Sequence, residues 1–202
     1  MSKPTWLNIS PSQGSGNGTI QNSASEHTGR VARSGQVTVT AAGVVAPATY
    51  DVTQEAKPEF VAFNDGPEMA APKTAGNLTV KGKSNSSKLT FSLVGDGKNV
   101  TIPSSFTAGG VATDNGVAIA GDPGADAEFE FAVILDLPVN DSVEEIERTI
   151  KVESDGGQSA QIVIKQAAGD ARLSVSPNAV TIKQDGSAVS VNVESNTSWS
   201  VS

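Results

Sequence analysis

Apolar side chains recur at every second position in many short runs of this 202-residue chain, and clusters of Gly, Asn, Asp, Ser and Pro separate the runs. A period of two places the apolar residues on one face of a β-strand. Many short strands at close spacing predict an all-β protein built from antiparallel sandwiches. The predicted strands are Gln36–Thr40, Tyr50–Gln54, Leu78–Lys81, Lys88–Val94, Val100–Ile102, Glu128–Leu135, Thr149–Glu153, Gln161–Gln166, Ala179–Lys183 and Ala188–Glu194.

Composition excludes several other classes of protein. Charged residues make up 18% of the chain and aromatic residues 4%, which is unlike a helical bundle, while 37% hydrophobic residues argue against full disorder. The net charge of -8 argues against a nucleic-acid partner, because such partners need a clustered positive surface. No apolar run approaches the roughly 20 residues that span a bilayer, so no membrane insertion is expected.

The chain has no cysteine and one histidine, His27. Disulfides, thiolate metal sites and cysteine nucleophiles are therefore excluded. His27 lies in a polar turn and is expected to be exposed to solvent. We predict that the protein is not an enzyme and uses no cofactor or metal.

One segment departs from the strand pattern. Ser142 and Glu145 have the spacing of a capping box, and Glu144 and Arg148 stand four residues apart. These spacings predict a short helix over Asn140–Arg148.

The chain contains an internal repeat. An arginine, an alternating strand, a turn and a strand that ends in Gln-x-Ala occur from Arg33 to Ala56 and again from Arg148 to Ala168. Each copy predicts a hairpin. A second correspondence matches Leu89–Leu93 to Val189–Val193. Together these matches place unit boundaries near residues 57 and 170.

The motifs at the two ends resemble a known family. Trp6-Leu-Asn-Ile-Ser-Pro11, with Gly14 to Gly18 and the first hairpin, resembles the later half of a BACON domain, the immunoglobulin-like module of Bacteroidetes proteins. Residues 173–201 resemble the first half of the same domain. The resemblance implies tandem immunoglobulin-like β-sandwiches: an incomplete unit at 1–56, a divergent but complete unit at 57–169, and the first half of a further unit at 170–202.

The two partial units leave two hypotheses open. Residues 170–202 open a further domain that is cut short, or residues 172–202 complete the first unit, within one chain or by donating strands to a neighbour. An isolated half sandwich leaves an unpaired edge and an uncovered apolar face. We therefore expect an assembly of several copies.

Candidate binding residues are few. The glycine-rich run Gly14–Gly18 lacks the Lys-Ser/Thr of a phosphate-binding loop and is predicted to be a hairpin connection. Trp6 and Tyr50 are the candidate glycan-binding residues, since aromatic rings stack on sugars. The alternation of Trp199 with Val191 and Val193 favours a core position, and a core position is also favoured for Trp6.

Acidic residues are concentrated in the middle of the chain, where residues 57–169 hold 16 acids against 9 bases, a net charge of -7. No EF-hand spacing is present among them, so a solvated surface is favoured over a metal site. Two groups stand out: Asp122, Asp126, Glu128 and Glu130, and then Asp136, Asp141, Glu144, Glu145 and Glu147.

The family resemblance also implies a role. BACON-like modules are associated with carbohydrate binding or act as spacers, and phages of Bacteroidetes carry them as well. The start Met1–Trp6 has no apolar run of a secretory signal. We therefore expect a structural protein on the capsid exterior of a phage, a decorating or head-fibre protein with sister subunits and shell proteins as partners and host glycans as possible ligands. The alternative is a bacterial cell-surface carbohydrate-binding or spacer module whose signal has been removed.

Overall fold

A computed structural model describes residues 3–202, and every regular element in that range is a β-strand. Among these residues there is no helix. The strands are β1 (Leu7–Ser10), β2 (Gln21–Ala24), β3 (Arg33–Val39), β4 (Ala48–Gln54), β5 (Val61–Phe63), β6 (Glu68–Ala71), β7 (Gly76–Ser84), β8 (Leu89–Val94), β9 (Ser105–Ala108), β10 (Val111–Asp114), β11 (Phe129–Leu137), β12 (Ile146–Ser154), β13 (Ser159–Gln166), β14 (Leu173–Ser176) and β15 (Asn192–Ser195).

Nine strands, β5 to β13, form a sandwich that we call the central sandwich. Its first sheet has the order β10-β9-β11-β7-β5, and its second has the order β6-β13-β12-β8. All neighbours are antiparallel except β6, which runs parallel to β13. The sheets cover each other's apolar faces, as an immunoglobulin-like sandwich requires.

Strict alternation on the long strands builds the core of this sandwich. On β11, Phe129, Phe131, Val133, Leu135 and Leu137 are buried, while the residues between them are partly or fully exposed. Period-two burial is what a sheet with one covered face produces.

Four phenylalanines connect the two sheets at the centre of the core. Phe91 lies edge-on to Phe106 and to Phe131, with ring centroids 4.8 and 5.4 Å apart. Phe63 meets Phe131 in the same way at 5.9 Å. Such edge-to-face pairs add a preferred geometry to the burial of the rings.

The two ends of the chain form only two-stranded sheets: β1-β2 and β3-β4 before the central sandwich, and β14-β15 after it. We call residues 3–56 the N-terminal segment and residues 170–202 the C-terminal segment. The predicted fold class is confirmed, because the described chain is all-β and consists of a sandwich with further antiparallel sheets before and after it. The unit boundaries near 57 and 170 remain a prediction.

The repeated hairpins are confirmed. In the first, β3 pairs with β4 and Arg33 stands opposite Gln54, whose Oε1 accepts hydrogen bonds from the Arg33 Nε and Nη2 at 3.1 and 3.0 Å. In the second, β12 pairs with β13, and the Arg148 Nη1 donates to Gln166 Oε1 at 2.8 Å. The repeated arginine and glutamine are therefore bonded to each other in both units.

Three sequence-based predictions of local structure are wrong. Val100–Ile102 and Ala179–Lys183 are not strands, and the predicted helix over Asn140–Arg148 does not form. The Asn140 side chain instead accepts from the Ser142 backbone N–H at 3.0 Å and donates to the Glu144 carbonyl at 2.8 Å. This local bonding competes with a helix, and β12 begins at Ile146.

The Arg148–Gln166 pair gives a test of the core. Arg148 is only 2% exposed, and its other hydrogen bonds go to the carbonyls of Gly97 and Lys98. Gln166→Ala leaves the buried guanidinium short of one acceptor, so we expect a loss of about 2–4 kcal/mol in the free energy of unfolding.

The matched control is Gln54→Ala in the more exposed copy of the same pair, for which we expect about 1 kcal/mol or less. Urea unfolding followed by far-ultraviolet circular dichroism measures both. Equal losses in the two variants would contradict the prediction.

Candidate binding face

The N-terminal segment consists of two hairpins whose apolar residues are only partly covered. Leu7 on β1 and Val37 on β3 are buried, whereas Ile20, Val39, Val44 and Val45 are exposed. The residues between Ser10 and Gln21, which include Gly14–Gly18, connect two antiparallel strands, so the predicted hairpin connection is confirmed. This segment thus has the beginning of a core and an open remainder.

A groove of about 200 Å³ runs beside Trp6 and is lined by residues of β1, β2 and β4. Its polar lining residues are Asn22, Ser23, Thr53 and Gln54. The Arg33 guanidinium carbon lies 4.9 Å from the centre of the half-buried Trp6 ring, which is a cation–π distance. A half-buried aromatic ring beside amide and hydroxyl groups is a suitable surface for a sugar.

The second candidate residue, Tyr50, is half-buried on β4 and does not line this groove. Its hydroxyl donates to Asn22 Oδ1 at 2.9 Å and so ties the second hairpin to the first. The structure therefore places Trp6 at a groove and Tyr50 in a contact between strands. Glycan binding by either residue stays a prediction.

A larger groove separates β1 from the end of β3. It has a volume of about 350 Å³, and its apolar lining includes Ile9, Pro11, Ile20, Val37 and Val39. A neighbouring hollow of about 580 Å³ continues it along the glycine-rich connection. In the central sandwich, the corresponding space between the sheets is filled by the phenylalanine cluster.

His27 is buried, with 5% of its surface exposed, so the prediction of an exposed residue is wrong. Its Nε2 donates to the Val31 carbonyl at 2.8 Å, and its Nδ1 has no hydrogen-bond partner among the described residues. The Asp126 Oδ1 lies 3.9 Å from the His27 Nε2. The residue is covered because the turn that carries it packs against the central sandwich, which its local sequence does not indicate.

Arg30 joins the N-terminal segment to the central sandwich. Its guanidinium donates to both carboxylate oxygens of Asp122, at 3.1 and 2.6 Å, and to the carbonyls of Asn85 and Gly124. A bidentate bond of this kind fixes orientation as well as distance. Thr28 adds a bond to the Asp126 carbonyl at 3.1 Å. We call this set of contacts the junction.

Asn85 supports the junction from inside the sandwich. Its fully buried side chain accepts from the Phe60 N–H at 3.0 Å and donates to the carbonyls of Thr28, Lys57 and Pro58. One side chain thus satisfies backbone groups of the N-terminal segment and of the linker, residues 57–60, as buried polar groups require.

Two of the clustered acids have structural roles that sequence reasoning did not find. The hydrogen bond from Arg30 lowers the pKa of Asp122, and the same bond raises the pKa of Arg30. Glu128 forms an ion pair with Lys57, with 3.5 Å between the Glu128 Oε2 and the Lys57 Nζ. The sequence carries no signal for the Arg30–Asp122 pair, since its members stand 92 positions apart.

Trp199 is 53% exposed, so its predicted core position is wrong. Leu173, Val175, Val191 and Val201 in the same segment are also exposed. The cause is the missing second layer: β14 and β15 pair only with each other, and no described sheet covers their apolar face.

Within residues 3–202, no group of three His, Cys, Asp or Glu side chains could hold a metal ion. The same residues contain no helix that is long and apolar enough to cross a membrane.

The similarity to known proteins lies at the start of the chain. Residues 1–55 match the family model described as BACON, putative binding domain, N-terminal. Residues 1–55 are called the BACON segment below, after the family model that they resemble. The match covers 55 of 202 residues and ends at the linker before the central sandwich. Trp6, the groove beside it and Arg30 all belong to this BACON segment.

Two solved structures are similar to the chain at 14% identity. The crystal structure of domains 4 and 5 of the S-layer protein SbsC aligns with a TM-score of 0.41, over 67% of this chain and 58% of that one. The structure of domains 4–9 of SbsC aligns with a TM-score of 0.40, over 81% and 24%. The chain thus spans less than two thirds of either structure. No curated protein sequence matches the chain.

Gly29 gives a direct test of the junction. A Cβ at this position would lie 1.7 Å from the Ala125 carbonyl oxygen. Gly29→Ala must therefore push the BACON segment away from the sandwich, and we expect a loss of about 1–3 kcal/mol in the stability of this contact. Limited proteolysis of residues 27–32 should become faster.

The control for this variant is Gly18→Ala, since a Cβ there meets nothing within 4 Å. It should be cleaved at the wild-type rate. Equal cleavage of both variants would show that the junction is not closely packed.

The lowered pKa of Asp122 gives the junction a defined pH dependence. A carboxyl whose pKa is lower in the folded state than its usual value of about 3.9 stabilises that state above the usual value, and this contribution disappears as the pH falls through the lowered pKa. Asp122→Asn should be less stable than wild type at pH 7, and this difference should shrink as the pH falls below about 3.9. Other carboxyls titrate equally in both proteins, so the difference between their urea midpoints isolates Asp122. A difference that does not change with pH would contradict the assignment.

Proposed function

We propose that the chain is a non-enzymatic spacer and display protein on the exterior of a Bacteroidetes phage capsid, with its BACON segment as the docking end. The observation that carries the spacer role is the position of the two ends. The junction lies at the Phe129 end of β11, while the C-terminal segment contacts Asp141 beyond the other end. Nine residues of strand separate these ends by about 26 Å.

The central sandwich is suited to hold two contact surfaces apart. Its core is continuous from Val61 to Ile164, and its net charge of -7 keeps its own surface from associating with like surfaces. The junction fixes the BACON segment to it through partly buried hydrogen bonds. These features support a rigid arm, which a decorating or head-fibre protein needs.

The test is mass spectrometry of gradient-purified phage particles from a Bacteroidetes host culture. Peptides of the chain at a constant, stoichiometric number per particle would support the capsid role. Their absence from particles, with recovery from the cell-surface fraction, would overturn it in favour of the bacterial surface module.

A second candidate function, carbohydrate binding, is favoured by the groove beside Trp6. Trp6→Ala should abolish binding to any host mucin or plant polysaccharide that retards the wild-type chain in an affinity gel, because ring stacking would be lost. Trp199→Ala is the control, since that ring is exposed at the opposite end of the chain. Unchanged retardation of Trp6→Ala would remove this groove as the sugar site.

A further inference from the structure

We infer that the C-terminal segment of one copy completes the N-terminal segment of a second copy by adding a strand to the free edge of β3. This inference does not depend on the capsid role. It commits to one occupant for the open groove between β1 and β3, namely residues 188–195 of another molecule of the same chain. The central sandwich is the template for the missing strand.

In the central sandwich, the hairpin β12–β13 has a further strand on the β12 side. That strand is β8, which places Leu93 opposite Ile150 and Phe91 opposite Val152. Leu93 is partly buried, and the other three side chains are fully or nearly fully buried. The equivalent hairpin β3–β4 has no strand on the β3 side.

The internal repeat identifies the strand that fits this edge. Leu89–Leu93 of β8 matches Val189–Val193 near the end of the chain, and Val152 of β12 matches Val39 of β3. Transferring the β8–β12 register therefore pairs Val191 with Val39. The next pair on the same face of the sheet is Val193 with Val37, which corresponds to Leu93 with Ile150.

The present exposure of these residues agrees with an uncovered core. Val39 and Val191 are each 39% exposed, whereas their counterparts Val152 and Phe91 are 0% and 3% exposed. Val37 and Val39 line the 350 Å³ groove, so a strand added beside β3 would place its own valines over that groove.

The edges that would meet are free to pair. β15 is paired on one side with β14, and its other side has no described strand. In the template, β8 likewise has a neighbouring strand on one side only, because it is the outermost strand of its sheet. The hairpin β14–β15 can therefore add to β3 as a whole, by β-strand addition.

The position of the C-terminal segment favours a second copy over the same molecule. Its Asn196 side chain donates to the carbonyls of Asp141 and Asp170, both at 2.9 Å. These contacts lie at the far end of the central sandwich from the junction. Completing its own BACON segment would require the C-terminal segment to abandon them and cross the length of β11.

Surface area and charge are both compatible with such an association. A compact protein of 20.6 kDa exposes about 8,900 Å², whereas this chain exposes 12826 Å². The difference exceeds the roughly 1,200–2,000 Å² buried in a standard interface. Residues 1–56 carry three acids and three bases, and residues 170–202 carry three acids and two bases, so the two segments do not repel each other.

The two segments are different surfaces of the chain, and each copy presents both of them. Because the contact joins different surfaces on the two copies, it repeats from copy to copy unless a ring closes.

The first experiment measures the mass of the chain Met1–Ser202 by sedimentation velocity over a wide concentration range. We expect masses that rise above 20.6 kDa in steps of one chain. Val39→Asp and Val191→Asp should each weaken association by about a hundredfold or more, because each buries an unpaired carboxylate among valines. The control is Val111→Asp, an exposed strand valine of the central sandwich, which should associate like wild type.

Mixing the two deficient variants distinguishes this contact from a symmetric one. Val39→Asp keeps an intact C-terminal segment, and Val191→Asp keeps an intact β3, so the mixture should form a dimer and nothing larger. Circular dichroism spectra identical to wild type confirm that each variant folds.

Cross-linking tests the register in a chain that has no cysteine of its own. A mixture of Val39→Cys and Val191→Cys chains should form a disulfide-linked heterodimer on oxidation, and a mixture of Val111→Cys and Val191→Cys should not. A wild-type chain that stays at 20.6 kDa at every concentration would overturn the inference. A monomeric Val39→Cys, Val191→Cys double variant that closes an internal disulfide would overturn it too, in favour of completion within one molecule.

Discussion

A β-sheet with one apolar face needs a second layer over that face, because water otherwise contacts the side chains that should be buried. The central sandwich meets this requirement with two sheets that share one cluster of buried residues. Phe91 and Phe131 come from opposite sheets and touch at its centre. The long strands β7, β11, β12 and β13 surround this contact. Both ends of the chain attach to the sandwich that these strands form.

The ends of the chain differ from the centre in this one respect. The BACON segment buries Leu7 and Val37 but leaves an open groove, and the C-terminal segment leaves its whole apolar face exposed. The same strand pattern therefore gives a closed core in one part of the chain and uncovered apolar faces in the others. Docking, display and self-association are the uses to which such surfaces are suited, since an uncovered apolar face marks an interaction site.

Sequence reasoning found the features that depend on neighbours along the chain. The alternation on β8, β11 and β12 identified these strands, and the repeated arginine and glutamine identified two hairpins whose side chains are bonded in the structure. It failed where a local signal competed with another one. The spacing of Ser142 and Glu145 predicted a helix, yet the Asn140 side chain bonds the same backbone groups and forms a turn.

Sequence reasoning also missed every feature that depends on contacts between distant segments. Asp122 was one acid among several until the fold placed it against Arg30, and the only signal for that role would have been the pairing itself. His27 appeared exposed because its immediate neighbours are polar, but the junction covers it. Trp199 appeared buried because it alternates with Val191 and Val193, but β15 ends at Ser195. Alternation also says only which face is apolar and not whether another sheet lies over it.

The sequence by itself determined that this chain is all-β, that it repeats an Arg–Gln hairpin and that it has no thiol chemistry, since these properties follow from residue type and short-range spacing. Only the tertiary structure decided which apolar faces are covered, which acid holds Arg30 and at which end of the sandwich each terminal segment lies. Those outcomes depend on packing between residues far apart in the chain, where no periodicity of the sequence can specify the partner.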